Sequence, residues 1–324
     1  MLNRLTMYVV VALSICCGVG LNVPASAAVS DETYPPAETE RVLFLGDSIT
    51  YAGHYVALVE ARLRIARDGQ VPVIINLGLP SETCTGLTEP GHPFPRPNVH
   101  ERLDRALDRF RPDVVVVCYG MNDGIYAPFS ADRFAAYQRG MNELIDKVTA
   151  AGAELVLLTP PPFDAVPVKQ RGQLRDADSP PFGWQGVYAN YDDEVIARYA
   201  QWILEQRPRV RMVIDVHTPL IEAVSKRRND DPDYSLSPDG VHLDRAGHAL
   251  VADAILDAWG YGGAEEIDPE LAGLVEQRST LLRDAWLSHV GHTRPGIAVG
   301  PPLDEANVKA AELNEQIKSL LAPK

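Results

Sequence analysis

Residues 42–50 read VLFLGDSIT, an apolar run that ends in Gly46-Asp47-Ser48. The run at 42–45 has the length of a β-strand and no alternation of apolar and polar side chains, which is typical of a parallel strand covered on both faces. Gly-Asp-Ser suits a turn from a strand into a helix, because Gly tolerates unusual backbone dihedrals and Asp or Ser caps helices. The stretch therefore predicts a buried strand that leads directly into a helix.

Four further apolar runs follow the same pattern, and helical patterns separate them. The runs lie at 73–77, 114–119, 155–159 and 210–216. Helical spacing recurs at Leu103, Leu107 and Phe110 and over 54–67, 131–151, 188–206 and 244–259. Strands that alternate with helices form βαβ crossovers, which place parallel strands in one sheet with helices on both faces. The fold class predicted for residues 41–260 is therefore α/β, a three-layer α/β/α sandwich with a parallel sheet.

The composition is that of an ordinary globular protein. Of the 324 residues, 46% are hydrophobic and 23% are charged, with 30 basic and 44 acidic side chains. The apolar content excludes a disordered chain, and the charged content excludes a polytopic membrane protein. The formal charge of −14 disfavours a nucleic-acid partner, because such proteins use Lys and Arg to displace counterions from phosphates.

Residues 1–27 predict a secretory signal peptide. Arg4 supplies a positive charge, residues 7–15 an apolar stretch, and Ala25-Ser26-Ala27 a small-residue site for cleavage after Ala27. A membrane anchor is the alternative, but the apolar stretch is shorter than the roughly 20 residues of a spanning helix. We therefore expect a secreted or periplasmic protein without stable membrane insertion of the mature chain, beginning with a linker over 28–40.

Cysteine usage does not indicate a disulfide framework. Cys16 and Cys17 lie in the predicted signal peptide, and neither follows the small-residue pair that a lipoprotein site requires. The mature chain would keep Cys84, in a polar loop, and Cys118, at the end of an apolar run where a thiol behaves as a small hydrophobe. A disulfide between these two is compatible with the sequence but is not predicted.

Polar segments follow several of the predicted strands. Ligands bind outside the carboxyl ends of strands in parallel sheets, which makes candidate site segments of 46–50, 76–78, 120–123 and 237–242. Each alone has a structural explanation, since Gly, Asp, Asn and Ser are common in turns and caps and a lone His is usually a surface or core residue. Their occurrence together favours a functional site.

The four segments contain the groups of a serine hydrolase. Ser48 is the candidate nucleophile, His242 its base, and Asp239 the carboxylate that orients the base. The spacing of Asp239 and His242 allows the carboxylate to reach Nδ1 while Nε2 faces Ser48. Candidate donors for an oxyanion hole are the backbone N–H groups of Ser48 and Gly78 and the side-chain amide of Asn122.

These blocks resemble those of the SGNH hydrolases, also called the GDSL esterase and lipase superfamily. The matching blocks are Gly46-Asp47-Ser48, Gly120-Met121-Asn122-Asp123 and Asp239-Gly240-Val241-His242, in the family's order. The resemblance implies a flavodoxin-like fold, an acyl-enzyme on Ser48, a triad with Asp239 and His242, and an oxyanion hole with Gly78 and Asn122. The block around Gly78 matches only in part. No GxSxG elbow surrounds Ser48, so we expect an open, shallow site.

Two segments lie outside these blocks. The insertion at 160–190 either shapes the pocket or covers the surface, and its mix of charged and aromatic residues favours a polar, carbohydrate ligand. The extension at 261–324 shows two amphipathic helical patterns, which predict a helical C-terminal extension. We expect it to pack back on the domain, with dimerisation or attachment to another surface as alternatives.

The remaining histidines do not indicate a metal site. His248 is expected to be structural and His54 to be solvated on the first helix, and the other histidines lack the paired spacing of metal ligands. Walker and dinucleotide glycine patterns do not occur, so no cofactor is expected.

The sequence therefore predicts a secreted serine esterase that cleaves short acyl esters, such as O-acetyl esters of carbohydrates. A lipase or lysophospholipase is the alternative, and a non-catalytic glycan-binding module is a third interpretation. The expected partner is a small-molecule or carbohydrate ester.

Overall fold

Seven strands and ten α-helices form in residues 33–263 and 266–322, which are the residues that the computed structural model describes. The strands are β1 (Arg41–Gly46), β2 (Val73–Asn76), β3 (Val114–Cys118), β4 (Glu154–Leu158), β5 (Leu174–Arg175), β6 (Val187–Tyr188) and β7 (Met212–Ile214). The predicted signal peptide, its cleavage point and residues 28–32 of the predicted linker lie outside the described residues.

Five of these strands form one parallel sheet, in the order β2-β1-β3-β4-β7. Strand β1 lies between β2 and β3, with Val42 opposite Ile74 of β2 on one side and Val114 of β3 on the other. The order, in which the second strand lies outside the first, is that of flavodoxin-like doubly wound sheets. Strands β5 and β6 pair only with each other. The predicted parallel sheet and fold class are confirmed.

The helices connect the strands and cover the sheet. They are α1 (Ser48–Ala52), α2 (His54–Ala66), α3 (Leu103–Phe110), α4 (Ala131–Ala150), α5 (Ala165–Gln170), α6 (Ala197–Leu204), α7 (His217–Arg227), α8 (Arg245–Ala258), α9 (Pro269–Val290) and α10 (Leu303–Leu321). The predicted helix at 188–206 is a short strand, a π-helical turn at Asp192–Ile196 and α6. The apolar pattern does not reveal α7, because that helix buries only His217 and Leu220.

The hydrophobic core lies on both faces of the sheet. Leu43 and Leu45 of β1 pack on one side with α3 and α4, and Val42 and Phe44 pack on the other with α2 and α8. All four side chains are fully buried. Burial on both faces explains why the strand shows no alternation, and each such side chain stabilises the fold by about 1.5–3 kcal/mol.

The C-terminal helices pack back on the α/β domain. Helix α9 contacts α2, and the apolar contact includes Ala57 and Ala61 of α2, Leu271 and Val275 of α9, and Ile317 of α10. This packing agrees with the first of the three expectations for the extension. None of the helices in the described ranges is at once long and apolar enough to cross a membrane.

Candidate active site

Ser48 lies where strand β1 meets its helix. Strand β1 ends at Gly46, Asp47 caps α1 by accepting a hydrogen bond from a backbone N–H of the first turn at 2.9 Å, and Ser48 is the first helical residue. A Cβ on Gly46 would lie 2.1 Å from Thr50 Oγ1 and 2.8 Å from the carbonyl oxygen of Cys118. Lack of space, rather than an unusual dihedral, therefore requires glycine here.

Three of the predicted site residues form a chain of hydrogen bonds. Ser48 Oγ lies 2.8 Å from His242 Nε2, and His242 Nδ1 lies 2.6 Å from Asp239 Oδ2. Asp239 Oδ1 accepts from the backbone N–H groups of Val241 and His242 at 2.9 and 2.7 Å, so the carboxylate is fixed within its own loop. A carboxylate at Nδ1 holds the proton on that nitrogen, which leaves Nε2 free to accept the proton of Ser48.

The electrostatics of the pair suit an ionised carboxylate beside a basic imidazole. Burial opposes ionisation of Asp239, but the hydrogen bond and charge of His242 and two backbone N–H groups outweigh it and lower the pKa of Asp239 to about 2. The hydrogen bond to Asp239 raises the pKa of His242, against the opposing effect of burial, and the charge of Asp47 raises it further. The imidazole is thereby a stronger base than a free histidine.

The structure contradicts the prediction that Gly78 offers a free donor. Its N–H donates to Asn76 Oδ1 at 2.8 Å. A Cβ on Gly78 would lie 2.3 Å from the backbone nitrogen of Tyr51, so the glycine allows close packing against α1. Asn76 Nδ2 also donates to the carbonyl of Thr50 at 2.7 Å. Residues 76–78 therefore hold α1 against the end of β2. The N–H of Ser48, in contrast to that of Gly78, has no acceptor among the described residues.

Sequence reasoning missed Ser81, whose N–H also has no acceptor within the described part of the chain. The N–H of Glu82 donates to the carbonyl of Leu79 at 3.1 Å, which closes a turn with Pro80 and Ser81 at its centre. Ser81 has φ +68°, a conformation that usually takes glycine, and Pro before it is typical of a type II turn. The N–H of Leu79 donates to Gly46 at 2.8 Å, so the turn adjoins the Ser48 segment.

The side chain of Asn122 is held on the other side of this turn. Its Oδ1 accepts from the hydroxyl of Tyr126 at 2.8 Å, and its Nδ2 donates to the carbonyl of Glu82 at 3.2 Å. The carbonyl of Glu82 can only accept, so this contact requires Nδ2 on that side of the amide, and Nδ2 carries a second hydrogen. The N–H groups of Ser48 and Ser81 and one hydrogen of Asn122 Nδ2 are therefore donors at this end of the sheet that lack an acceptor among the described residues.

Asp123 ties a loop to the end of β3. Its Oδ1 accepts from the backbone N–H groups of Cys84 and Thr85 at 2.9 and 3.1 Å and from the Cys84 thiol at 3.3 Å. Burial raises the pKa of Asp123 to about 6, and the contacts from Cys84 and Thr85 oppose the rise. Cys84 and Cys118 are both buried free thiols.

Two buried ion pairs hold the loop that contains Ser81. Arg96 binds Glu89 through two nitrogens at 2.6 and 2.7 Å and also donates to the carbonyl of Ser81 at 3.3 Å. Arg102 binds both oxygens of Glu82 at 2.7 and 2.6 Å. Buried charges need such partners, and the bidentate geometry makes these pairs rigid supports for the turn.

The site is open, as predicted from the missing elbow motif. The side chains of His242 and Asp239 are 51% and 48% exposed. His54, expected to be solvated, instead lies 3.0 Å from Glu276 of α9, and burial lowers the pKa of His248 to about 3. Among residues 33–263 and 266–322, no three His, Cys, Asp or Glu side chains are grouped so as to hold a metal ion.

The insertion at 160–190 lies close to the loop of the buried ion pairs. The backbone N–H of Trp184 approaches Glu89 Oε1 at 3.4 Å, and the Trp184 side chain is 49% exposed. Phe182 packs edge-on against Tyr188, with ring centroids 6.2 Å apart. The insertion therefore both covers the surface with its own aromatics and presents an exposed indole.

Comparison with protein families identifies one that spans the site. The model of the GDSL-like Lipase/Acylhydrolase family matches residues 44–250, a range that contains Ser48, Asn122, Asp239 and His242. No curated protein matches the sequence.

Several solved structures resemble the chain in part. A gut microbial diltiazem-metabolizing enzyme is 20% identical with a TM-score of 0.49, and the match covers 71% of this chain and 49% of that one, so the chain spans about half its length. A catalytic mutant of Axe2, an acetylxylan esterase from Geobacillus stearothermophilus, is 19% identical with a TM-score of 0.49 over 70% and 97% of the two chains. LAE5, an α/β hydrolase enzyme from the metagenome of Lake Arreo in Spain, is 22% identical with a TM-score of 0.48 over 69% and 97%.

Proposed function

Because the chain belongs to the GDSL-like Lipase/Acylhydrolase family, whose members hydrolyse esters, we propose that it cleaves carboxylic esters through an acyl-enzyme on Ser48. The observation that carries this mechanism is the pair of hydrogen bonds that joins Ser48 to His242 and His242 to Asp239, at 2.8 and 2.6 Å. A nucleophile, its base and the group that orients the base are within hydrogen-bond reach of one another, which is the arrangement that activates a serine hydroxyl.

The first half of the reaction forms the acyl-enzyme. His242 Nε2 takes the Ser48 proton as Oγ attacks the ester carbonyl, and the carbonyl oxygen becomes an oxyanion. The N–H groups of Ser48 and Ser81 and Nδ2 of Asn122 donate to that oxygen, and one such donor lowers the barrier by about 3 kcal/mol. His242 then gives its proton to the departing alkoxide, while Asp239 stabilises the imidazolium in the interval.

The second half releases the acid. Water enters the open site, His242 takes one of its protons, and the resulting hydroxide attacks the acyl carbonyl through the same oxyanion geometry. Collapse of this second intermediate breaks the bond to Ser48, whose Oγ regains a proton from His242. The products are the alcohol, released first, and the carboxylic acid.

We propose short acyl groups on carbohydrate alcohols as the substrate class. The half-exposed His242 and Asp239 support a site that a bulky, hydrated alcohol can approach. The insertion beside it carries exposed polar side chains, among them Lys169 and Asp176, together with the exposed indole of Trp184. Indole faces and polar groups are the surfaces on which sugars pack and hydrogen-bond.

The test is a series of p-nitrophenyl esters of increasing acyl length, with Ser48→Ala as the matched variant. We expect hydrolysis of the acetate that falls with chain length, and a loss of about 10³-fold or more in kcat in the variant with an unchanged melting temperature. A preference for long acyl chains would replace this proposal with a lipid esterase. A folded wild-type protein that hydrolyses none of the esters, or a fully active Ser48→Ala variant, would refute the assignment of Ser48.

We also propose that the enzyme acts outside the cytoplasm, on the strength of the signal pattern in residues 1–27. Expression in a bacterial host with fractionation tests this. The mature chain should reach the periplasm or medium with Ala28 as its N-terminal residue, whereas an uncleaved cytoplasmic chain would contradict the proposal.

A further inference from the structure

The insertion after β4 binds the backbone of the loop that carries Asp239 and His242. Arg171, which follows α5, donates through its two Nη groups to the carbonyls of Pro238 and Asp239 at 2.7 and 2.5 Å. The backbone N–H of Asp164, which caps the other end of α5, donates to the carbonyl of Gly240 at 2.9 Å. Three consecutive carbonyls of the loop are therefore bound from one short helix.

The carboxylate of Asp164 takes part in further hydrogen bonds at the start of the loop. Arg228 Nη2 lies 2.8 and 2.7 Å from its two oxygens, and the hydroxyl of Ser235 donates to Oδ2 at 2.6 Å. Arg228 in turn donates through Nε to the carbonyl of Tyr234 at 2.9 Å. The Asp164 side chain is only 11% exposed, so these charge-assisted contacts are sheltered from water.

At Gly240 the loop packs so closely against the insertion that no space remains for a side chain. Gly240 has φ +86°, and a Cβ there would lie 2.4 Å from Val168 Cγ2 and 2.6 Å from the carbonyl oxygen of Asp164. The two backbones are therefore in direct contact, and glycine is required both by the dihedral and by the space.

A pocket of about 330 Å³ that is open to solvent lies beside the loop and α7, and residues that include Phe163, Asp164 and Arg228 line it. Leu236 of the loop nevertheless packs in one apolar cluster with Leu220 of α7. The loop is therefore held by this apolar contact on one side and by its polar contacts with the insertion on the other.

We propose that Asp164 and Arg171 are positioning residues, which hold the 234–242 loop so that His242 stays in line between Ser48 and Asp239. The predicted loss of rate rests on the proposed function. The predicted position of the loop, which the pKa of His242 reports, does not depend on it. Neither side chain touches the reacting atoms, and both act through the backbone or the start of the loop. A displacement of about 1 Å in a reacting group can cost 10²-fold in rate, so small losses of position have large kinetic effects.

The decisive variant is Arg171→Ala, because charge and position predict opposite results for the pKa of His242. Removal of a positive charge alone would raise that pKa. Loosening of the loop would weaken the Asp239 contact that raises it, and so would lower it toward the ordinary value. Lys169→Ala is the matched control, since Lys169 is an exposed cation in α5, two residues before Arg171, and the Lys169 side chain makes no hydrogen bond within the described residues.

The experiment is an NMR titration of labelled histidine in the wild type and both variants, with kcat and KM for p-nitrophenyl acetate. We expect the pKa of His242 to fall in Arg171→Ala and kcat to drop about tenfold or more with little change in KM, whereas Lys169→Ala keeps kcat and does not lower the pKa. Arg171→Lys, which can still reach one carbonyl, should restore part of both losses. Besides Asp239, the charged group that acts on His242 is Asp47. His248 must be assigned separately, because the charge of His242 contributes to the lowering of its pKa.

Asp164→Asn is the second variant and should show a larger loss, about 100-fold in kcat, with the same fall in the His242 pKa. Asp215→Asn is its control, because Asp215 caps α7 in a similar way without touching the loop. An Arg171→Ala protein whose His242 pKa equals or exceeds the wild-type value overturns the proposal, whatever its rate. Failure of the wild type to hydrolyse any ester would count against the proposed function instead, and the titration would still decide the role of Arg171.

Discussion

At the scale of single residues, the contact between Asp239 and His242 sets the pH range in which the site can work. In the proposed mechanism His242 must be neutral to accept the Ser48 proton, and Asp239 raises the pKa of His242. Activity therefore falls as the pH drops below the raised pKa of His242. The acid limb of the pH–rate profile should lie above the pKa of an ordinary histidine.

Asp239→Asn should shift this limb. The amide carries no charge, so the pKa of His242 falls. The amide also no longer holds the proton on Nδ1 of His242, which is the tautomer that the mechanism requires. We expect kcat/KM to fall about 10⁴-fold and the residual acid limb to move to lower pH. A pH–rate profile with p-nitrophenyl acetate checks this, with Asp176→Asn in the exposed part of the insertion as the control. An acid limb that does not move would show that Asp239 is not the group that raises the pKa.

Asp47 makes a second pH-dependent contribution, to stability. Burial raises its pKa from 3.8 to about 7, Asp123 adds to the rise, and His242 and Arg96 oppose it. A raised pKa in the folded state stabilises the fold fully below 3.8, and this contribution is lost as the pH rises to about 7.

Asn at position 47 can still cap α1 but does not ionise. We therefore expect the unfolding free energy of Asp47→Asn, relative to the wild type, to increase between pH 4.5 and pH 8. Urea unfolding at the two pH values measures it. A difference that stays constant would mean that Asp47 is ionised throughout this range in the folded protein.

At the scale of helices, Glu60 joins α2 to α9. It is fully buried and accepts from Arg64 at 2.9 and 2.7 Å and from Arg278 of α9 at 3.0 Å. Glu60→Ala would leave two buried guanidinium groups without their shared partner. We expect a loss of about 3–5 kcal/mol in unfolding free energy, measured by urea titration. Glu315→Ala, in the exposed pair with Lys318, is the control and should cost no more than about 0.5 kcal/mol.

The sequence predicts elements well where burial alone decides them. The predicted run at 42–45 lies within β1, where all four side chains are apolar and buried. The run at 73–77 ends one residue beyond β2, an edge strand that buries Ile74 and Ile75 but begins on the exposed Val73 and ends in the polar Asn76. Helix α7 and the π-helical turn at Asp192–Ile196 depend on contacts with other elements, which a local pattern does not contain.

The same division applies within the site. Ser48 and Asn122 follow from strand ends and residue type. The error at Gly78 arose because residue type does not show that Asn76 occupies its N–H. Ser81 was missed because its backbone, not its side chain, offers the donor. Pro80 before it was the available signal, since Pro in the second position of a turn frequently precedes a residue with positive φ.

At the scale of the whole molecule, the C-terminal extension supports the helix that begins with Ser48. Arg283 of α9 donates to the carbonyl of Tyr51 at 2.7 Å, and its guanidinium lies 4.0 Å from the centroid of the Tyr51 ring. The extension therefore contacts α1 as well as α2, and its loss should affect activity as well as stability.

A chain that ends at residue 260 should show both effects. It would expose Ala57 and Ala61 and leave Glu60 without Arg278, for a combined loss of about 5 kcal/mol or more in unfolding free energy. Calorimetry and the p-nitrophenyl acetate rate measure the two effects. A chain that ends at residue 301 keeps α9 and should lie between this truncation and the full chain. Equal stability of the three would contradict a structural role for the extension.

Ser48 and His242 lie 194 residues apart in the chain, one directly after the inner strand β1 and the other beyond the edge strand β7. A chain that is still being synthesised, or that has refolded only as far as β4, holds the nucleophile without its base. Under the proposed mechanism, hydrolysis is therefore expected to start only when the far edge of the sheet has packed against the rest. After dilution from denaturant, the return of activity should therefore report the last step of folding. The recovery of tryptophan fluorescence from the core is expected to come before the return of activity.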